Sequence, residues 1–330
     1  MSTPLAPTLE AFFTDRLLCQ KKVSPNTVAS YRDTFRLLLR FVQDKTGTRP
    51  ARVELAQLDA QMIGAFLEHL ESERGNSART RNVRLGTIHS FFHYCELRHP
   101  EHAALIARVL AIPAKRSDRR TVTFLHPEEA KALLDSPDRS TWAGRRDHAL
   151  LLTTVQTGLR VSEVIGLSCA DVQLGTGAHL RAFGKGRKER ITPLTKQTVA
   201  VLKVWLRERG GQPTDPLFPT RTGTVLTRDA IERRLAKHLE TARQRCPALR
   251  SKHVSMHTLR HSAAMMLLSA GVDTSTIALW LGHEQERTTH IYLHADLTIK
   301  QRALDRATPP NGRPGRYRPP DRLLAFLDDL

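Results

Sequence analysis

The residues best suited to chemistry lie near the C-terminus, in the segment LGHEQERTTHIYLH at residues 281–294. Three histidines surround Tyr292 there, with glutamates and an arginine between them. Such a segment can bind a metal, form ordinary polar surface, or present the phenol of Tyr292 as a nucleophile. A phenol has a pKa near 10, so it attacks at neutral pH only with help from neighbouring groups. Residues elsewhere in the chain must decide between these interpretations.

A metal site is the least favoured of the three. His257 and His261, like His290 and His294, have an i, i+4 spacing that could present two imidazoles to zinc. However, HEQER is not a His-Glu-x-x-His motif, and neither an acidic nor a cysteine third ligand is evident. The cysteines are scattered without a C-x-x-C pair: Cys19, Cys95, Cys169 and Cys246. The sequence therefore predicts no metal and no other cofactor.

Three upstream segments supply further reactive or charged side chains. TGLRVSEVIGL carries Arg160 and Glu163, GKGRKER carries Lys185, and HTLRHS carries His257 and Arg260. Taken singly, each residue has an ordinary explanation as a surface, salt-bridged or loop side chain. Their occurrence in this order, before the histidines and the tyrosine of the last segment, is what makes them candidates for one site.

Together these segments resemble the tyrosine recombinase family, also called the phage integrase family. The resemblance rests on Gly-Leu-Arg-x-Ser-Glu, Gly-Lys-Gly before a second strand, His-x-Leu-Arg-His-Ser, and Leu-Gly-His with Tyr292 nine residues after His283. The N-terminal segments SPNTVASY and SARTRNVRL are similar to the core-binding domain of Xer-type enzymes and many integrases. The resemblance covers nearly the whole chain.

The resemblance implies that a tyrosine cleaves DNA. In the family, the tyrosine oxygen attacks a phosphodiester, forms a 3′-phosphotyrosyl link and frees a 5′-hydroxyl, so Tyr292 is the expected nucleophile. Arg160 and Arg260 are expected to bind the negative charge that gathers on the non-bridging oxygens. Guanidinium groups suit this role because they stay ionised and offer several donors in a rigid plane.

The remaining site residues are expected to move or orient protons. By resemblance, Lys185 is the general acid that protonates the leaving 5′ oxygen, and His257 and His283 position the phosphate and assist proton transfer. Glu163 is expected to orient Arg160 or a histidine. Neither a metal nor ATP is expected, because the cationic side chains supply the positive charge and the phosphotyrosyl bond keeps the energy of the broken phosphodiester.

The composition predicts a polyanionic partner. Lys and Arg outnumber Asp and Glu by 51 to 33 in 330 residues, which gives a formal net charge of +18. Lysine and arginine near a phosphate release condensed counterions, so such a chain is suited to nucleic acid. The alternative is an ordinary basic protein from an arginine-rich proteome. The basic residues are spread along the chain, which favours a folded basic surface over a disordered arm.

Two further sets of basic residues are candidate DNA contacts. Arg79, Arg81 and Arg84 lie on or near the polar side of a predicted helix, where they either face solvent or lie against a DNA groove. The segment after Lys185 adds three residues that either contact backbone phosphates or are solvated: Arg187, Lys188 and Arg190.

The sequence predicts a mainly α protein with two domains. Residues 1–116 show amphipathic helical patterns, including a helix with Ser24 as N-cap and Pro25 at its first position, and resemble the helical, SAM-like core-binding domain. Residues 117–307 form the α-rich catalytic domain, with a small antiparallel sheet built on the hairpin HLRAFGKGRKERITPL. The basic run from Lys115 to Arg120 is expected to be an exposed linker.

Two segments depart from what the family pattern requires. Residues 308–330 are expected to form a Pro/Arg-rich linker and a C-terminal helix, DRLLAFLDDL, which is too short to be stable alone and must dock on its own domain or on a neighbouring subunit. Ala263 to Met266 stand where many relatives carry a Phe-Ala-Thr-His-like stretch, and we expect local repacking beneath the site.

The expected function is site-specific recombination of double-stranded DNA. The resemblance implies a homodimer on two inverted half-sites and a tetramer in synapsis, with a related recombinase or an accessory protein as a further partner. Integration, excision or transposition of a mobile element and resolution of chromosome or plasmid dimers stay open as cellular roles. A DNA-binding protein without strand exchange should have lost Tyr292 or an arginine, and a monomeric topoisomerase-like enzyme is disfavoured by the two-domain layout.

The sequence also predicts a bacterial cytoplasmic protein associated with the nucleoid. The N-terminus lacks a basic region followed by an apolar core, and no apolar run approaches the roughly 20 residues that span a bilayer. Cysteines without a pairing pattern fit a reducing compartment.

Overall fold

The computed structural model describes residues 3–116, 122–184, 189–282 and 289. The chain divides into two compact units, Met1–Arg119 and Arg120–Leu330. Over the described ranges it is mainly α-helical with one small antiparallel sheet, which confirms the predicted fold class. No helix within those ranges has the length and hydrophobicity that a membrane crossing requires.

The helices of the first unit follow the amphipathic patterns of the sequence. Ser24 caps α2 by accepting a hydrogen bond from the Thr27 amide at 3.3 Å, and Pro25 opens that helix as predicted. Beyond α1 the chain continues in π-helical geometry over Phe12–Gln20. The α-helices described in this unit are α1 (Leu5–Ala11), α2 (Pro25–Thr46), α3 (Ala60–Ser72), α4 (Ala78–Cys95) and α5 (Ala103–Leu110).

Aromatic rings form the centre of this first unit. Phe91 lies 5.4 Å from Phe12 and 5.2 Å from Phe35 between ring centroids, in the edge-to-face arrangement that aromatic pairs prefer. Tyr31 and Met62 pack against this core and are only partly buried. Further core side chains of α3 and α4 are at most 2% exposed: Ile63, Phe66, Leu67, Leu70, Leu85, Ile88, Phe92 and Cys95.

The second unit is built around α7, whose residues are buried along most of its length. Helices α9 and α11 pack against it, and α12 packs against α11 and strand β3. The α-helices described in this unit are α6 (Pro127–Leu134), α7 (Trp142–Thr157), α8 (Val161–Gly166), α9 (Lys196–Arg209), α10 (Arg228–Arg245), α11 (Met256–Ser269) and α12 (Thr274–Leu281).

The predicted hairpin is part of a three-stranded antiparallel sheet in the order β1, β2, β3. Its strands are β1 (Val172–Gln173), β2 (His179–Phe183) and β3 (Glu189–Pro193). Phe183 pairs with Glu189, so the hairpin connection runs through residues 184–188, as the glycine-rich segment predicts.

Candidate active site

Arg160 lies in extended backbone just before α8, with φ −69° and ψ 152°, and not inside the helix. Glu163 Oε2 accepts a hydrogen bond from the Arg160 backbone N–H at 2.8 Å, and its Oε1 accepts another from Arg160 Nη1 at 2.8 Å. The Arg160 side chain is 35% exposed, whereas that of Glu163 is 2% exposed. A buried carboxylate thus fixes the direction of a guanidinium that reaches the surface.

Arg260 is held more deeply, on the first half of α11, with 1% of its surface exposed. Its Nη1 donates to the Gly158 carbonyl at 2.7 Å and its Nη2 to the Leu281 carbonyl at 2.6 Å. Gly158 ends α7 in the left-handed region, with φ +65°. A Cβ at that position would lie 2.5 Å from Leu281 Cδ2, so the close approach of α7 and α12 requires glycine.

The two predicted phosphate-binding arginines meet at the end of α12. Arg160 Nη2 donates to the Gly282 carbonyl at 3.0 Å, one residue after the Leu281 carbonyl that Arg260 contacts. The last carbonyls of a helix lack partners within the helix and carry partial negative charge, so guanidinium groups stabilise them. The structure therefore brings Arg160, Glu163 and Arg260 together at the residue before His283.

A third arginine, from strand β3, joins this cluster. Arg190 Nη2 donates to Glu163 Oε2 at 2.6 Å, its Nη1 donates to the Trp280 carbonyl, and its side chain is 10% exposed. The sequence predicted a phosphate contact here, but the alternation of β3 puts Arg190 on the same face as Thr192, which is 1% exposed. This alternation is the sequence signal that could have indicated an inward-facing arginine.

Glu163 keeps its negative charge in this buried setting. Burial by itself would raise the pKa of the carboxyl, but the charge of Arg190 and the hydrogen bonds from Arg160 outweigh burial and hold the pKa below its usual value. The carboxylate therefore offsets part of the positive charge that the two arginines bring together.

His257 lies in the first turn of α11, three residues before Arg260, and its side chain is exposed. Its ring is 4.3 Å from that of His261 between centroids, with the planes at 75°. Lys185, His283 and Tyr292 lie outside the described residues, as do Arg187 and Lys188. In the part of the chain that is described, no group of three or more His, Cys, Asp or Glu side chains is placed to hold a metal ion.

The side chains of α11 shortly after Arg260 are buried, at the positions where the sequence predicts repacking. Ala263, Ala264 and Met265 are at most 2% exposed. The Ala263 Cβ lies 3.2 Å from where a Cβ on Gly158 would stand, so this part of α11 contacts the glycine whose carbonyl Arg260 binds.

The candidate DNA contacts on α4 differ from one another in exposure. Arg79 is exposed, and Arg84 is half-buried with Nη1 3.3 Å from Thr34 Oγ1. Arg81 departs from the expectation, because it is 7% exposed and its Nη1 donates to the Pro113 carbonyl at 2.9 Å. Arg81 thus ties the segment after α5 to α4, and we do not retain it as a DNA contact.

Comparison with known proteins identifies the class. Residues 123–298 match the phage integrase family, and residues 11–99 match the phage integrase N-terminal SAM-like domain. The chain belongs to the phage integrase family and is a tyrosine recombinase, which confirms the resemblance seen in the sequence.

Relatives cover almost the full chain. The putative integrase/recombinase y4rC of Sinorhizobium fredii is 53% identical over 99% of this chain and 98% of its own length. Tyrosine recombinase XerC of Pelobacter propionicus is 32% identical over 93% of this chain and 96% of its own. The structure of the XerH site-specific recombinase bound to a palindromic difH substrate shares the fold, with a TM-score of 0.70 and 24% identity over 87% of this chain and 81% of that one.

Proposed function

We propose that this tyrosine recombinase cleaves and rejoins DNA at a specific site through a 3′-phosphotyrosyl intermediate on Tyr292. The observation that carries the proposal is the convergence of Arg160 and Arg260 on the consecutive carbonyls of Leu281 and Gly282, directly before the segment that holds His283 and Tyr292. Two guanidinium groups held at one place suit a phosphate on which negative charge develops.

In the proposed step, the phenolic oxygen of Tyr292 forms a bond to phosphorus while the bond from phosphorus to the 5′ oxygen breaks. Arg160 and Arg260 stabilise the charge on the non-bridging oxygens, and Lys185 gives a proton to the leaving 5′ oxygen. His257 and His283 position the phosphate and assist removal of the phenolic proton. A 5′-hydroxyl from a second strand then attacks the phosphotyrosyl bond and frees the tyrosine, so no ATP is consumed.

The proposed partner is double-stranded DNA with two inverted half-sites, bound by a homodimer that pairs with a second dimer into a tetramer. The palindromic substrate of XerH supports inverted half-sites. The name of the Sinorhizobium relative supports integration or excision of a mobile element, and that of the Pelobacter relative supports a Xer-type role. The proposed domains are a DNA-binding domain (1–116), a catalytic domain (117–307) and a docking segment (308–330) in a cytoplasmic, nucleoid-associated enzyme.

Covalent trapping tests the proposal. A site is first recovered by binding selection from random double-stranded DNA and is then rebuilt as a duplex nicked beside the scissile phosphate, so that the released short strand diffuses away and religation fails. We expect an adduct that survives denaturation, is unaffected by EDTA and is absent from Tyr292→Phe.

Each alternative has its own signature in this assay. An adduct that persists in Tyr292→Phe would refute the nucleophile. Site binding without any adduct would favour a DNA-binding protein without strand exchange, and loss of the adduct in EDTA would favour a metal-dependent reaction.

A further inference from the structure

We propose that Arg190 is a positioning residue of the active site, which fixes Glu163 and the end of α12 relative to Arg160. The proposal rests on the proposed function, because positioning is meaningful only if Arg160 acts on a phosphate. It assigns Arg190 a role inside the protein in place of the DNA contact that its position in the sequence favours.

The first observation is that Arg190 joins two elements with one rigid group. One guanidinium nitrogen donates to the Glu163 carboxylate at the start of α8, and the other donates to the Trp280 carbonyl in the last turn of α12. The side chain is also in close contact with the α12 terminus, because a Cβ on Gly282 would lie 3.1 Å from Arg190 Cδ. A planar fork with both ends engaged constrains α8, α12 and β3 together.

The second observation is that the two partners of Arg190 lie beside the groups that anchor Arg160 and Arg260. Glu163 Oε2 accepts a hydrogen bond from Arg190, and Glu163 Oε1 accepts one from Arg160, so the two arginines bind opposite oxygens of one carboxylate. Trp280 is followed by the Leu281 and Gly282 carbonyls, which Arg260 and Arg160 contact. Loss of Arg190 would let the carboxylate turn and the helix end shift, and a displacement of about 1 Å at a reacting centre can cost about 10²-fold in rate.

A lysine at this position keeps the charge but not the fork. Its single ammonium group would reach Glu163 or the Trp280 carbonyl, but it lacks the flat geometry that spans both. Arg190→Lys therefore tests positioning with less disturbance than Arg190→Met, which leaves the buried Glu163 without one of its two cationic partners. The matched control is Arg181→Lys, on the neighbouring strand β2, where the side chain is 43% exposed and lies 3.4 Å from Asp171.

The first measurement separates positioning from DNA contact. Single-turnover adduct formation is followed on the nicked duplex, and half-site affinity is measured over a series of salt concentrations. We expect Arg190→Lys to lower the cleavage rate by about 10²-fold. We expect Arg190→Met, which removes the charge, to keep its half-site affinity within about twofold and its salt slope unchanged. An unchanged rate in Arg190→Lys, or a weaker affinity with a salt slope reduced by about one in Arg190→Met, would overturn the proposal.

The second measurement asks which catalytic group Arg190 supports. A duplex with sulfur in place of the bridging 5′ oxygen has a leaving group that departs without a proton, because a thiol is far more acidic than an alcohol. A loss of cleavage rate that arises through Arg160 remains on this substrate. We therefore expect Arg190→Lys to stay slower than wild type on the sulfur-containing duplex. Recovery of the rate would instead assign Arg190 to the general acid Lys185 and overturn the route through Glu163.

The third measurement is independent of catalysis and uses the protein without DNA. Hydrogen exchange is measured over residues 278–282, which are the last turn of α12 and its C-cap, with thermal unfolding as a check that each variant folds. We expect Arg190→Lys to speed exchange there at least fivefold and Arg181→Lys to leave it unchanged. Unchanged exchange in Arg190→Lys would overturn the positioning role. Faster exchange in Arg190→Lys, together with a wild-type protein that forms no covalent adduct with DNA, would overturn the proposed function alone.

Discussion

Arg160 is anchored and exposed at the same time. Its contacts to Glu163 and to the Gly282 carbonyl occupy two of its several N–H donors, and about a third of its side chain reaches the surface. Arg260, by contrast, is almost fully buried. The two residues thus combine a guanidinium that faces the surrounding solution with one that is fixed within the fold.

The charge of Glu163 makes a testable contribution to stability. Because the folded-state pKa of this carboxyl is held below its usual value, the stabilisation is present above the unfolded pKa of roughly 4.3 and is lost as pH falls through the folded pKa. We expect Glu163→Gln to lower the free energy of unfolding by about 3 kcal/mol at pH 7 and by less at pH 3.

Urea denaturation between pH 7 and pH 3 measures this difference. The matched control is Glu240→Gln on α10, where the glutamate is exposed. A stability loss in Glu163→Gln that is the same at both pH values would contradict the assignment of a charged carboxylate.

At this scale the sequence predicted residue types better than contacts. Arg160, Glu163 and Arg260 could be named from their motifs, because each motif has a fixed spacing around them. Strand alternation could have indicated that Arg190 faces inward, but its partners could not be named, because Glu163 and the Trp280 carbonyl are distant in sequence and only the fold brings them near it. Arg81 was placed on the polar side of α4 for a similar reason, since its partner, Pro113, is distant in sequence.

The elements that position the site meet at Gly158. This residue ends α7, and its carbonyl accepts a hydrogen bond from Arg260. It also lies against Leu281 of α12 and Ala263 of α11. The helices themselves could be predicted from apolar periodicity and capping residues, but their mutual contacts could not. The use of the α12 carbonyls as anchors for arginines is set by tertiary packing, which no local pattern encodes.

Substitution of Gly158 tests this junction. Gly158→Ala combines a left-handed backbone with a Cβ 2.5 Å from Leu281 Cδ2, so we expect the free energy of unfolding to fall by about 3 kcal/mol. Gly177→Ala is the control, because Gly177 has φ +70° and open space around it, and only the backbone strain of about 1 kcal/mol should be seen. Equal losses in chemical denaturation would show that α7 and α12 do not meet as closely as described.

At the scale of the whole molecule, charge determines how the protein meets DNA. A net charge of +18 predicts half-site binding that weakens steeply with salt, because each phosphate contact releases counterions. The family could be predicted because its motifs run in order along the chain. Lys185, His283, Tyr292 and the tail at residues 308–330 lie outside the described ranges.

Two arginines of α4 are expected to use their charge differently, Arg79 in contact with DNA and Arg81 within the protein. We expect Arg79→Ala, at an exposed position, to reduce the salt slope of half-site binding by about one. Arg81→Ala should leave the slope unchanged and lower the thermal stability, because Arg81 is buried and binds the Pro113 carbonyl. Fluorescence anisotropy at several salt concentrations measures the slopes, and a reduced slope for Arg81→Ala alone would reverse the assignment.

Neutralising the scissile phosphate tests the central claim most directly. A methylphosphonate at that position removes the negative charge that Arg160 is proposed to stabilise, while Tyr292 can still attack the phosphorus. On the ordinary phosphate we expect Arg160→Ala to lose about 10³-fold in single-turnover cleavage. On the methylphosphonate we expect the loss to shrink to about tenfold or less, whereas an equal loss on both substrates would show that Arg160 does not act on the phosphate charge.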